Sequence, residues 1–238
     1  MKEMKQAACM TAAELARYID HSVLKPEFSE TEIRREIAAG IAYGCVTVCI
    51  NPAALELARE LCRGTATGIS VVCDFPFGLS TTESKALQAE LICRPGGVDD
   101  LDVVANYGWI RSGLWERVTA DIRAVVEVAH RYETLVKVIF ETDALTLDEV
   151  RRATVAAVEA GADFVKTSTG FFTGARREGA TPAVIAAMLE AAAGRCRVKA
   201  SGGIRDRASF LSLIDMGVHR LGIGYRSTPV VLGLEGGV

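Results

Sequence analysis

Short, unbroken apolar runs alternate with longer segments of mixed polarity along this chain. Val46 to Ile50, Gly68 to Cys73 and Leu135 to Phe140 are rich in Val, Ile and Leu and show no polar alternation. That pattern predicts strands buried on both faces. Shorter runs ending near Asp20, Val104, Lys166, Lys199 and Gly222 read the same way, giving eight strand candidates. Between them, helical periodicity predicts helices over Ser29–Ala42, Pro52–Leu61, Ser80–Cys93, Trp115–His130, Thr146–Ala160, Thr181–Ala193 and Arg207–Met216. Pro52 suits a first helical position. Asp148 and Glu149 suit a first turn, where the helix dipole favours acids. Thr11 to Arg17 predicts a short leading helix, with Thr11 and Glu14 at capping-box spacing. Gly170 to Gly179 reads as an irregular loop, and the tail from Ser227 to Val238 has little periodicity.

Alternating strands and helices argue for an α/β fold with a parallel sheet. Eight such units in about 220 residues argue for closure. The expectation is a single (β/α)8 TIM barrel with a short N-terminal helical extension, one domain over residues 1–238. An open doubly wound sheet is the alternative. No Gly-x-Gly-x-x-Gly turn follows an early strand, which weighs against its dinucleotide-binding form.

Composition narrows the partners. Half the residues are apolar and only 6% aromatic, so small aliphatic side chains build the core. A net charge of −3 gives no electrostatic reason to expect nucleic acid or an anionic membrane. The seven cysteines are odd in number and most lie in apolar runs, which predicts buried thiols in a reducing compartment. Met1 to Met10 contains no apolar signal region, and no apolar run reaches the ~20 residues that span a bilayer. A soluble cytoplasmic protein is expected.

In a barrel the reactive groups lie at the carboxyl ends of the strands. The polar residues placed there are Asp20, Asp102, Glu141, Lys166, Lys199 and Ser201. Burying an ammonium group is costly. Two on consecutive strands, about 4.8 Å apart, would crowd each other. At roughly 4 Å and an effective dielectric near 20, they repel by about 4 kcal/mol. That is enough to bring one lysine from about 10.4 towards neutrality, and a neutral amine attacks carbonyl carbon. The competing reading makes each lysine half of a buried salt bridge. Asp102, flanked by Leu101 and Val103, must find a partner; it either holds a lysine or moves protons. Asp20 and Glu141 read as supports for the lysines. The turns Gly202-Gly203-Ile204-Arg205 and Gly222-Ile223-Gly224 follow the last two strands, where barrels often bind phosphate through backbone N–H groups. His21, His130 and His219 have no ligand spacing, so no metal site is expected.

These motifs resemble the deoxyribose-phosphate aldolase family of class I aldolases, from Tyr18 to about Gly224. The resemblance is carried by Ile19-Asp20-His21-Ser22-Val23-Leu24-Lys25-Pro26, by Val48-Cys49-Ile50-Asn51-Pro52 and by Asp74-Phe75-Pro76-Phe77-Gly78. Asp102 with Asn106 and Lys137 to Thr142 continue it. Val165 to Phe171 and Val198 to Arg205 are its most specific segments. The resemblance implies that Lys166 forms the Schiff base, that Lys199 keeps its pKa low, and that Asp102 relays protons through a water. It places Asp20, Cys49, Thr169 and Gly170 at the substrate, and Gly202, Gly203, Arg205, Gly222 and Gly224 with them. It implies cleavage of 2-deoxy-D-ribose 5-phosphate without metal or organic cofactor, by a homo-oligomer, dimer or tetramer. One departure stands out. Gly224 and Tyr225 occupy positions where the family commonly has serines that hold the phosphate, leaving Arg205 or Arg226 to add charge. Two other readings follow: a related aldolase acting on an unphosphorylated aldehyde, and a non-catalytic sugar-phosphate-binding barrel in which the lysines are anion ligands.

Overall fold

Strands that read as continuous apolar runs need cover on both faces, and a closed sheet ringed by helices supplies it. The structure is a computed structural model that describes residues 6–175 and 177–234. Eight parallel strands close in chain order. They are β1 Ile19–Val23, β2 Thr47–Ile50, β3 Gly68–Cys73, β4 Asp100–Val104, β5 Leu135–Ile139, β6 Phe164–Lys166, β7 Arg197–Ser201 and β8 Arg220–Gly224. A (β/α)8 barrel with a short leading helix, Ala12–Ala16, is therefore present as expected. The capping box at Thr11 and Glu14 forms, and the same device starts the helices Glu30–Ala42 and Leu147–Glu159. Each box satisfies backbone donors that the first helical turn leaves free. Among the described residues, no helix is long and apolar enough to cross a membrane. Six of the seven cysteines are buried free thiols, and Cys9 is exposed.

Three strand ends lie further on than the sequence predicts. β1 runs past Asp20 to Val23, β7 past Lys199 to Ser201, and β8 past Gly222 to Gly224. The β1 and β7 extensions contain polar residues, which look like strand terminators but alternate between the two faces of the wall. His21 is one that faces out. It sits against Gly40, where an added Cβ would lie 2.9 Å from its Cδ2. Its Nδ1 lies 2.8 Å from Thr228 Oγ1, and burial pushes its pKa down to about 4. His21 thus joins β1 to the tail, which forms a short helix, Thr228–Leu232, that the sequence does not predict. The ends of the chain, 1–5 and 235–238, lie outside the described residues, as do those parts of the signal-region and tail readings. A second unpredicted helix, Tyr107–Arg111, is capped by Asn106, whose Oδ1 accepts from Trp109 N at 3.1 Å. Five residues are too few to show a helical period.

Most of the aliphatic core lies between the strands and the helices. A separate apolar cluster, Leu24, Cys49 and Val72 packed with Phe75 and Phe171, sits apart from it. Fully buried lysines and aspartates also meet inside the barrel.

Candidate active site

Strand register brings the two expected lysines together. Lys166 and Lys199 are paired neighbours on β6 and β7. Lys166 ends its strand, and Lys199 is in the middle of its own, one layer below Ser201. Asp102 reaches them from β4. Its Oδ2 accepts from Lys166 Nζ at 2.7 Å and from Lys199 Nζ at 2.7 Å, so both nitrogens flank one oxygen. Its Oδ1 accepts from Lys137 Nζ at 3.1 Å and from Ser70 Oγ at 3.1 Å. Lys199 also pairs with Asp20 Oδ2 at 2.5 Å, and Lys137 with Asp20 at 3.2 Å and Asp100 at 2.5 Å. Three lysines and three aspartates thus share the barrel interior, none more than 2% exposed. Carboxylates in equal number compensate the charge that burial would otherwise forbid.

Lys137 and Asp100 are members of this network that the sequence reading does not single out. The signal was there: Lys137 interrupts Leu135-Val136-Lys137-Val138-Ile139 just as Asp102 interrupts its own strand. The network also resolves Asp20. It is the second residue of β1, fully buried, and accepts from Thr47 Oγ1 at 2.9 Å while pairing with the lysines. Glu141 has a different task from the support of lysines expected of it. Its Oε2 accepts from the Thr169 hydroxyl, and Thr169 Oγ1 accepts from Phe171 N at 2.9 Å. It therefore anchors the loop after β6. Burial raises its carboxyl pKa, against the Thr169 hydrogen bonds.

The two lysines are electrostatically unlike. Lys166 is held below the ordinary lysine value, first by burial and then by the Lys199 charge, with Asp102 pulling the other way. Repulsion between the pair is therefore the lesser cause and burial, which the sequence also implied, the larger. Lys199 suffers the same burial, but Asp102 and Asp20 outweigh it and hold the pKa above the ordinary value. Lys137 is raised in the same way by its three aspartates. Those three cations in turn hold Asp102 well below the usual carboxylate range despite its burial. Lys166 is the amine that most readily becomes neutral, and Lys199 remains the cation. Lys199→Met removes that cation and should raise the pKa of Lys166. Activity at pH 7 should fall roughly ten-fold or more, with the pH profile of adduct formation moved to higher pH. An unmoved profile would show that Lys199 does not tune Lys166.

Lys166 opens onto a cavity of about 210 Å³ at the carboxyl ends of the strands. Of the expected substrate contacts, Thr169, Gly170, Gly202, Gly203, Arg205, Gly222 and Gly224 line it. Asp20, Cys49, Asp102 and Lys199 are not part of the lining. Cys49 belongs to the apolar cluster with Leu24, and burial raises its thiol pKa. Gly222 gives the Lys199 stem its space: an added Cβ would lie 3.3 Å from Lys199 Cε and 2.7 Å from Ser201 Oγ. Gly202, at φ 91°, adopts a backbone conformation that side chains rarely tolerate. Across the loop bases, Thr167 Oγ1 donates to Ser201 O at 2.6 Å and accepts from Ser201 N at 2.8 Å. This ties the ends of β6 and β7 together.

A parallel barrel with a lysine of lowered pKa under a cavity at its mouth has the layout of a barrel enzyme that captures carbonyl carbon. The profile of the DeoC/LacD family of aldolases matches residues 15–234, and the chain belongs to that family. It is 43% identical over 222 residues to deoxyribose-phosphate aldolase 2 of Bacillus licheniformis, covering 93% of this chain and 96% of that one. Among solved structures, an aldolase designated QR15 superposes with a TM-score of 0.84 at 33% identity, over 93% of this chain and 96% of the other. The tetrameric deoxyribose phosphate aldolase of Aeropyrum pernix gives 0.81 at 28% identity, over 94% and 91%.

Proposed function

We propose that this chain reversibly cleaves 2-deoxy-D-ribose 5-phosphate to D-glyceraldehyde 3-phosphate and acetaldehyde through a Schiff base on Lys166, in the breakdown of deoxyribonucleosides. The observation that carries this reading is the shared Asp102 oxygen, with one lysine depressed and the other kept charged. The neutral Lys166 Nζ attacks C1 of the open-chain sugar, and loss of water gives an iminium. The C3 hydroxyl then gives up its proton as the C2–C3 bond breaks. The bond electrons flow into the iminium and leave an enamine, and D-glyceraldehyde 3-phosphate departs. A proton returns to the enamine carbon, and water releases acetaldehyde and restores the amine.

We assign the proton traffic to Asp102 acting through a water. Ionised beside Lys137, Lys199 and the iminium cation on Lys166, Asp102 is a weak base. As the iminium becomes a neutral enamine, one of those cations disappears. The basicity of Asp102 then rises at the step in which a proton must be accepted. Lys199, charged throughout, keeps the pair from drawing a proton back to the reacting nitrogen.

Gly224 and Tyr225 favour a second reading, a family member that acts on an unphosphorylated aldehyde. Comparing kcat/KM on deoxyribose 5-phosphate and on deoxyribose decides between them. Charge-assisted contact to the phosphate, from Arg205 and the backbone N–H groups of the glycine turns, should give a preference of at least about 100-fold for the phosphorylated sugar. Equal efficiency would assign the unphosphorylated substrate. Release of no acetaldehyde from either sugar would contradict both readings.

A further inference from the structure

We propose that Lys25 is the cation that selects a phosphorylated substrate, supplying the anion contact that Gly224 and Tyr225 do not. The proposal rests on the reading of this chain as a sugar-phosphate aldolase. Among the described residues, the cations lining the cavity are Lys166, Lys25 and Arg205. Lys166 must be neutral to react, so it is no counter-ion for a dianion. Arg226, the other arginine the sequence offered, is not in the lining; its Cζ lies 5.3 Å from the centroid of the Tyr225 ring.

Barrel closure is what brings Lys25 to the site. β8 lies between β7 and β1. Gly224 pairs with Ser22 in register, and Tyr225 N donates to Ser22 O at 3.3 Å. Lys25 follows three residues later, just after Leu24, which is buried in the apolar cluster at the mouth. On the other side, Ser201 pairs with Gly222, and Arg205 follows Ser201 on the β7 loop. The two cations therefore flank the glycine turn of β8, one from each neighbouring strand. Among the described residues, neither makes an ion pair or a side-chain hydrogen bond. Both are exposed, so their charge costs little in desolvation. Lysine binds phosphate as a point charge on a flexible stem.

The phosphate is remote from C1, so a contact to it is made equally in ground and transition states and acts mainly on KM. The test is steady-state kinetics of Lys25→Gln and Lys25→Arg on deoxyribose 5-phosphate and on deoxyribose. For Lys25→Gln, kcat/KM on the phosphate should fall about ten- to a hundred-fold, mostly through KM. The loss on deoxyribose should stay small by comparison, and Lys25→Arg should recover most of the activity. Trapping of acetaldehyde on Lys166 should survive in both variants. Equal losses on the two sugars, or none on either, would overturn the proposal. So would wild-type enzyme without a phosphate preference, which would remove the phosphate part of the proposed function as well. A wild-type preference that Lys25→Gln retains would remove Lys25 alone.

Discussion

Lys166→Ala is expected to lower turnover by roughly four to six orders of magnitude and to yield no borohydride-stable adduct with acetaldehyde. Among the described residues, no other buried lysine lines the cavity. Lys199 and Lys137 are as deeply buried, but their aspartates hold them charged. Lys25 lines the cavity but is exposed. The fold should survive the change, because Asp102 keeps its pairs with Lys137 and Lys199 and no buried charge is orphaned. Circular dichroism and a melting curve check that point, while kcat and the mass of the reduced protein check the chemistry. Substantial turnover by the variant would mean that another group carries the reaction.

Asp102→Asn should do damage of a different kind. It removes the carboxylate shared by Lys137, Lys166 and Lys199 and leaves three buried ammonium groups with only Asp20 and Asp100. Breaking a buried pair in this way costs about 3–5 kcal/mol, a fall in Tm on the order of 10 °C for a domain of this size. Activity should fall at least about 1000-fold, since both the lysine geometry and the proton relay are lost. The pH dependence has a definite sign. The carboxyl pKa of Asp102 is depressed by folding, so its stabilising contribution is complete above the unfolded value near 4. That contribution disappears as pH falls through the folded pKa. The wild type should therefore exceed the variant most at neutral pH, and the gap should close only in strong acid. Equal melting temperatures at pH 7 would show that the carboxylate is not what holds the lysines.

The barrel was legible because its strands are buried on both faces, and unbroken runs such as Val46 to Ile50 record that directly. Helix starts were legible where chemistry is local, as at Thr11 and Glu14. The depth of each polar residue was not. Asp20 and Lys199 read as strand ends because His21 and Ser201 follow them, and only the closed wall shows which of these side chains points in. Lys137 was passed over because a strand interior is a poor place for a charge unless carboxylates face it, and those come from β1 and β4. The partnership of Lys85 with Asp121, at 2.7 Å between two outer helices, was hidden for the same reason. The weight of burial over repulsion at Lys166 depends on how much water the interior excludes, which no local motif records. Lys25 depends on the contact between the first and last strands, the longest-range pairing in the chain.

Treating the wild-type protein with acetaldehyde and borohydride at neutral pH, then mapping the modified peptide by mass spectrometry, tests the depressed amine most directly. The expected product carries one ethyl group, on Lys166, with Lys199 and Lys137 unmodified. An unchanged mass, or an ethyl group fixed on a different lysine while Lys166 stays free, would contradict the account.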